Sequence, residues 1–257
     1  MAIKKSCARP RGPLYSMSVG VAMRMSLDEV MRQLEAMGTE QNRKIYARHG
    51  APAEMFGVSF ANLYALQKKI KVDHALAFGL WDTGNVDARV LATLIADPAQ
   101  LTRQVADIWV QERGVDALAG LLANLLVRAP WAESARQEWT RDEDEAVRRV
   151  GWSMVGATLK VDPVRIGDEE CTTLLEKIEA EIQTSPNRVR EGMNWNLIAI
   201  GCAKPHLAPL AVAAAERIGK VDVDHGETSC KTPDAAAYIA KALARAASMK
   251  AKLRGTR

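Results

Sequence analysis

Several things are scarce in this sequence, and each scarcity excludes something. No run of about 18 apolar residues occurs anywhere, so nothing reads as a membrane span, and no membrane partner is expected. Aromatics are only 5% of 257 residues. There are four cysteines, Cys7, Cys171, Cys202 and Cys230, widely spaced and without a C-x-x-C pair. That pattern excludes a disulfide-stapled small domain and fits no structural zinc site. Free thiols in a reducing compartment suit it better, so a cytoplasmic location is expected. Strand-like alternation is nearly absent too. Only Val221-Asp222-Val223-Asp224 alternates, which is too short to found a sheet.

What is present is a 48% apolar share, drawn mainly from Ala, Leu, Val and Met. A disordered chain would be poorer in these. The length can bury a large core, as one domain or one repeat array.

The net charge of +4 is a property of the two ends. Residues 1–25 carry five basic residues and no acid, and residues 241–257 carry six and no acid. The body between them, 26–240, holds 24 basic and 31 acidic residues, a net −7. A DNA-binding face must therefore be a local gathering of Arg and Lys on an acidic body. Residues 1–25 are expected to be a basic, disordered leader, 26–245 a single domain, and 246–257 a basic tail. The leader has the order of a secretory signal, with an apolar stretch from Leu14 to Met23. Ser16 and Ser18 interrupt it, and no small-residue cleavage site follows. An extension from an upstream start fits better, since Met17, Met23 and Met25 follow.

From Ser26 onward the apolar spacing is helical. Ser26 caps a helix with acids in its first turn and Leu27, Val30, Met31, Leu34 and Met37 on one side, and Gly38 stops it. Thr39 and Ser59 cap the next two. Further helices are predicted at about 73–83, 86–96, 99–111, 115–128, 131–139, 142–160, 168–184, 187–203, 206–219 and 233–251. Three segments look alike, opening at Asp87-Ala-Arg89, Val147-Arg148-Arg149 and Arg188-Val-Arg190. Each sets Arg before an apolar helix rich in small residues, and Arg149 and Arg190 lie 41 apart. A period near 40 with two helices per unit marks HEAT-like stacking. The predicted fold is all-α, a HEAT-like helical repeat solenoid (an α-α superhelix) with a concave face. Its arginines either line that face or tie neighbouring helix ends together.

Gly57-Val-Ser-Phe-Ala-Asn-Leu-Tyr-Ala-Leu and Ala77-Phe-Gly-Leu-Trp-Asp-Thr-Gly-Asn-Val-Asp-Ala-Arg89 resemble the amino-terminal part of the AlkD-like DNA alkylation repair proteins. Met193-Asn-Trp-Asn-Leu-Ile-Ala-Ile-Gly201 and the segment from Ile218 to Ala235 resemble the carboxy-terminal part. The resemblance runs unbroken from about Ser26 to about Arg245. It implies a HEAT-like fold, an alkylated double-stranded DNA partner and no cofactor. It also implies glycosylase-type excision of cationic N3- or N7-alkylated purines; a monomer is expected.

An N-alkylated purine already carries positive charge and leaves without a general acid. What remains is positive charge growing on the deoxyribose, which a fixed carboxylate can stabilise. Aromatic faces can lie against sugar and base, and Arg can hold phosphates. The resemblance places the catalytic carboxylate at Asp116, a phosphate-binding guanidinium at Arg149 and an indole at Trp195, with Arg148 and Arg190 as further DNA-binding candidates. An Asp that opens a helix also stabilises its start, and a Trp at helical spacing is commonly core. The family's active members carry Trp four residues before the Asp. Here that position is Glu112. Trp109 lies seven back, on a similar face only if the helix runs through Gly114. Glu112, Trp109 and Trp152 are therefore possible groove-lining residues. His225, Cys230 and Asp224 include good metal ligands, but their spacing fits no zinc pattern. That segment is read instead as a capped loop, with Thr232 as cap and Pro233 opening the last helix. No metal is expected. The alternative to an enzyme is a non-catalytic HEAT-like module that binds DNA structures or a protein partner. Glu112 and the acidic body favour it.

Overall fold

Short polar side chains start most of the helices. Ser26, Thr39, Ser59, Asp73, Asn85, Thr102 and Asp144 each accept the amide three residues on. Such a cap contributes about 1 kcal/mol by meeting an otherwise unpaired donor. The computed structural model describes residues 24–255. The expected leader, apart from its last two residues, and Cys7 lie outside the described residues.

The helices are α1 (Leu27–Met37), α2 (Glu40–Arg48), α3 (Phe60–Ile70), α4 (His74–Asp82), α5 (Val86–Ile95), α6 (Arg103–Gln111) and α7 (Ala117–Leu126). They continue as α8 (Ala132–Trp139), α9 (Glu145–Val161), α10 (Asp168–Glu181), α11 (Asn187–Ala203), α12 (Ala208–Ile218) and α13 (Ala235–Gly255). A 3-10 turn, Pro163–Arg165, follows α9. The described residues hold no strand, only an isolated bridge between Gly38 and Val58. Val221–Asp224 stays irregular.

The helices form two layers. In the first, α3, α5, α7, α9, α11 and α13 pack each on the next. Behind it, α4 packs on α5, α6 on α7, α8 on α9, and α12 on α11. This is the stacked-pair arrangement of a HEAT-like array, in which each unit covers its neighbour's apolar side. The core divides in two. One part runs from Val30 to Ala157 and the other from Trp152 to Ile239. They meet in α9, where Val150 and Met154 belong to the first and Trp152, Val155 and Leu159 to the second.

Helix boundaries moved where local chemistry overrode the apolar pattern. α6 begins at Arg103 because Asp97 turns the preceding segment, accepting the Ala99 amide at 3.0 Å and the Gln100 side chain at 2.7 Å. Gly114, at φ +69°, breaks the chain between α6 and α7, so no helix runs from Trp109 to Asp116. The cap of α13 is Asp234, whose Oδ1 accepts the Ala237 amide at 2.9 Å. Thr232 instead lies 3.0 Å from His225 Nε2, and α13 starts two residues after Pro233. The same helix continues past Arg245 to Gly255.

Candidate nucleic-acid interface

Asp116 stands immediately before α7, at its N-cap position, with φ −61° and ψ −30°. That backbone is helical, whereas a capping side chain needs an extended one to reach the amides ahead of it. Accordingly Asp116 makes no capping bond. Its carboxylate turns to two arginines instead. Arg149 Nε of α9 lies 3.4 Å from Oδ1, and Arg188 Nε of α11 lies 3.9 Å from Oδ2. Glu191 closes the group, with Oε2 3.7 Å from Arg149 Nη2 and 3.3 Å from Arg188 Nη1. Ser153 Oγ is 3.3 Å from Arg149 Nη1. Gly192 is part of the design: a Cβ there would stand 2.9 Å from Arg149 Nη1. Arg113 sits beside the cluster; burial pushes its guanidinium below its usual range, against the pull of the Asp116 carboxylate.

These four side chains open on a cavity of about 480 Å³. Its wall also draws on Tyr46 of α2 and His49 just after it, Phe60 of α3, Val90 of α5, and His225 and Cys230 of the loop before α13. Elements from both ends of the chain thus meet around one hollow, which requires the first layer to curve. A Cβ on Gly226 would sit 3.7 Å from the Arg48 carbonyl oxygen, so that loop reaches back to the end of α2. Burial raises the Tyr46 hydroxyl's pKa, and the Asp87 charge adds to this. The hydroxyl donates to the Val58 carbonyl at 2.9 Å. Asp87 holds the wall between α2 and α3 by accepting the amides of Phe56, Gly57 and Val58 at 2.7, 2.9 and 2.9 Å.

Of the residues singled out in the sequence for catalysis or DNA binding, Asp116 and Arg149 come together at the hollow and the others do not. Arg148 donates to Glu181 at 2.7 Å and ties α9 to α10. Arg190 donates to the carbonyls of Asp222 and Ser185 at 2.8 and 3.0 Å. Trp195 is exposed and meets Tyr238 of α13 edge-on at 5.8 Å, outside the cavity wall. Trp152 is fully buried. Trp109 is 3% exposed and stacks on Trp81 at 4.3 Å, with Arg89 lying over the far ring. Glu112 accepts from Trp81 Nε1 at 3.2 Å and so turns toward α4, off the cavity wall. The repeated arginines therefore split by role. Arg89, Arg148 and Arg190 tie elements together, and Arg149 faces the hollow.

Sequence reasoning missed Arg188 and Glu191. Spacing held the signal. Two residues apart on a helix, Arg188 and Arg190 point to nearly opposite sides, so only one could share a face with Arg149. Asp224 and His225 bond locally, to Gly226 and Thr232. Among the described residues no group of three His, Cys, Asp or Glu is placed to hold a metal.

The comparisons agree with this architecture. A family described as DNA alkylation repair enzyme matches residues 30–239. The chain belongs to that family. It is 28% identical over 225 residues to uncharacterized protein Lin0241 of Listeria innocua, covering 85% of this chain and 97% of that one. Uncharacterized protein Lmo0209 of Listeria monocytogenes matches at the same identity and coverage. A solved structure is similar at a TM-score of 0.80 and 29% identity, covering 86% of this chain and 95% of its own. It is described as a new family of proteins related to the HEAT-like repeat DNA glycosylases, with affinity for branched DNA structures. No helix of the described residues is long and apolar enough to cross a membrane.

Proposed function

We propose that this protein, acting as a monomer in the cytoplasm, binds branched DNA across its hollow face. Arg149 and Arg188 take phosphates where the strands change course. The observation that carries the reading is that two guanidinia from adjacent helices of one layer converge on the same cavity. Phosphate contacts position DNA without reading its sequence, which suits recognition of shape. The similar solved structure, described as having affinity for branched DNA, supports the same choice. The experiment is fluorescence anisotropy with a four-way junction and a linear duplex of equal length, over a range of salt. Preference for the junction, with affinity falling steeply as salt rises, is expected. Equal and weak binding of both DNAs defeats the reading.

Base excision is the second reading, and one feature favours it: the Asp116 carboxylate faces the cavity instead of capping α7. A cationic N3- or N7-alkylpurine would leave with its bonding electrons, the carboxylate would oppose the charge left on the sugar, and a water molecule would add at C1′ and give up a proton to solvent or to the carboxylate. Two features weigh against it. The carboxylate charge is already met by Arg149 and Arg188, and Trp109, Trp152 and Trp195 offer no face to the cavity. Release of free base from methylated duplex, lost in Asp116→Asn, would restore this reading.

A further inference from the structure

Beside the Asp116 cavity, the outer side of α3 carries an aromatic and basic stripe. Phe60 and Tyr64, one turn apart, are 41% and 44% exposed. Their ring centroids are 6.3 Å apart and their planes cross at 39°, so neither ring covers the other's face. Lys68 and Lys71 follow along the same side, both exposed. The stripe links two hollows. Phe60 lines the cavity at Asp116, and Tyr64 and Lys71 line a second one of about 370 Å³. That second hollow lies between the carboxy-terminal ends of α3, α5 and α7. Arg128 stands on its wall with Lys71; no carboxylate lines it, and Asp97, between the wall residues Ala96 and Pro98, is held by its own bonds to Gln100 and Ala99 while lying near enough to feel the Arg128 charge. Such a wall is out of keeping with a body that carries net −7.

We propose that this stripe holds an unpaired DNA strand as it leaves the central cavity, with bases on Phe60 and Tyr64 and phosphates on Lys71 and Arg128. The proposal rests on the branched-DNA reading and names the kind of branch: one with a single-stranded arm. A duplex hides its base faces, so open rings can stack only on unpaired bases. Cations beside them track the backbone. An acidic peptide would satisfy the cations but would leave the two aromatic faces without a matched partner. Lys68 and Lys69 also offset the dipole at the end of α3, so the phosphate role is assigned to Lys71 and Arg128.

The test uses the full chain and a labelled oligo-dT of about 12 nucleotides, within the span of ordinary single-strand sites. A blunt-ended four-way junction serves as the parallel probe. Wild-type protein should bind oligo-dT. Phe60→Ala with Tyr64→Ala should weaken that binding by about tenfold or more, and Tyr64→Phe should not. Lys71→Gln with Arg128→Gln should lower the salt slope for oligo-dT by about one to two. Tyr64→Ala alone, whose ring lies off the central cavity, should weaken oligo-dT several-fold while junction affinity holds within about twofold, and the folding of every variant is checked by thermal melting. Absent oligo-dT binding, aromatic variants that bind it like wild type, or displacement of oligo-dT by polyglutamate as effective as by unlabelled oligo-dT would each overturn the proposal. If oligo-dT fails while the junction binds, only this proposal falls. If the junction binds no better than duplex while oligo-dT still binds, it is the branched-DNA reading that fails.

Discussion

Glu112 Oε2 accepts the indole proton of Trp81 at 3.2 Å, and this bond turns the side chain away from the hollow. Its backbone carbonyl is taken as well, by Arg89. The position where the family's active members carry Trp is therefore a brace between α4 and the end of α6. Glu112→Ala should lower stability by about 1 kcal/mol, because a partly buried donor loses its acceptor. It should leave DNA affinity unchanged within about twofold. Urea unfolding and anisotropy measure the two effects, and a large loss of DNA binding in a stable variant would contradict the brace.

Arg188 and Arg190 provide a matched pair of substitutions. Arg188 faces Asp116 and the cavity, while Arg190 is spent on two backbone carbonyls. Arg188→Ala should weaken DNA binding several-fold and lower the salt slope by about one, the signature of one lost phosphate contact. Arg190→Ala should leave that slope alone and lower the melting temperature instead. Equal slopes in wild type and Arg188→Ala would remove Arg188 from the interface.

Three indoles separate core from surface. Trp109 and Trp152 are buried, and Trp195 is 43% exposed. Trp109→Ala should cost about 3–5 kcal/mol, the usual range for emptying an aromatic core site. Its effect on DNA binding should disappear once the folded fraction is accounted for. Trp195→Ala should cost far less stability, since its side chain already stands well open to solvent.

The fold was legible because helical signals are local. Caps at Ser26, Thr39 and Ser59 and apolar spacing placed most helices, and the spacing of Arg149 and Arg190 gave the stacked units. The site was legible only in part. Nothing in the sequence distinguishes an Arg that ties two helices from one that faces a hollow, because Arg148 and Arg149 are adjacent and differ only in direction. Asp116 illustrates the same limit. Its place at a helix start suggested a charge that steadies the helix dipole, and only the structure shows its carboxylate turned to Arg149 and Arg188. Trp152 and Trp109 were indistinguishable from groove residues until the two core parts were known.

Acid should weaken the ties that hold α10 to its neighbours. Lys204 and His206 bond the Asp168 carboxylate at 2.7 Å each and hold its pKa below the ordinary carboxylate value, the Lys204 bond acting most. A lowered pKa in the folded state means the unfolded chain takes up the proton first as pH falls. The contribution is thus complete above the ordinary carboxylate value and is lost as pH falls from there through the lowered folded-state value. Arg217 acts likewise on Glu179. Urea midpoints should decline below about pH 4, and Asp168→Asn should make that decline shallower. An unchanged profile in the variant would show that the Asp168 bonds do not persist in solution.

Asp116→Asn separates the two functional readings in one protein. The carboxylate now lies between the guanidinia of Arg149 and Arg188 and competes with any phosphate for them. The amide keeps the shape and removes the charge. If the hollow serves to bind DNA, the variant should hold a junction several-fold more tightly, because one of the two carboxylates that hold the cations is gone and only Glu191 still competes for them. The salt slope should rise with it, as more counterions are displaced. If Asp116 serves excision, the same substitution should abolish base release whatever it does to affinity. Measuring junction affinity and free-base release on one preparation gives both answers. Tighter binding with no base release by the wild type fixes the carboxylate as a restraint on the two arginines. Weaker binding by a folded variant would mean that the carboxylate orients them for phosphate.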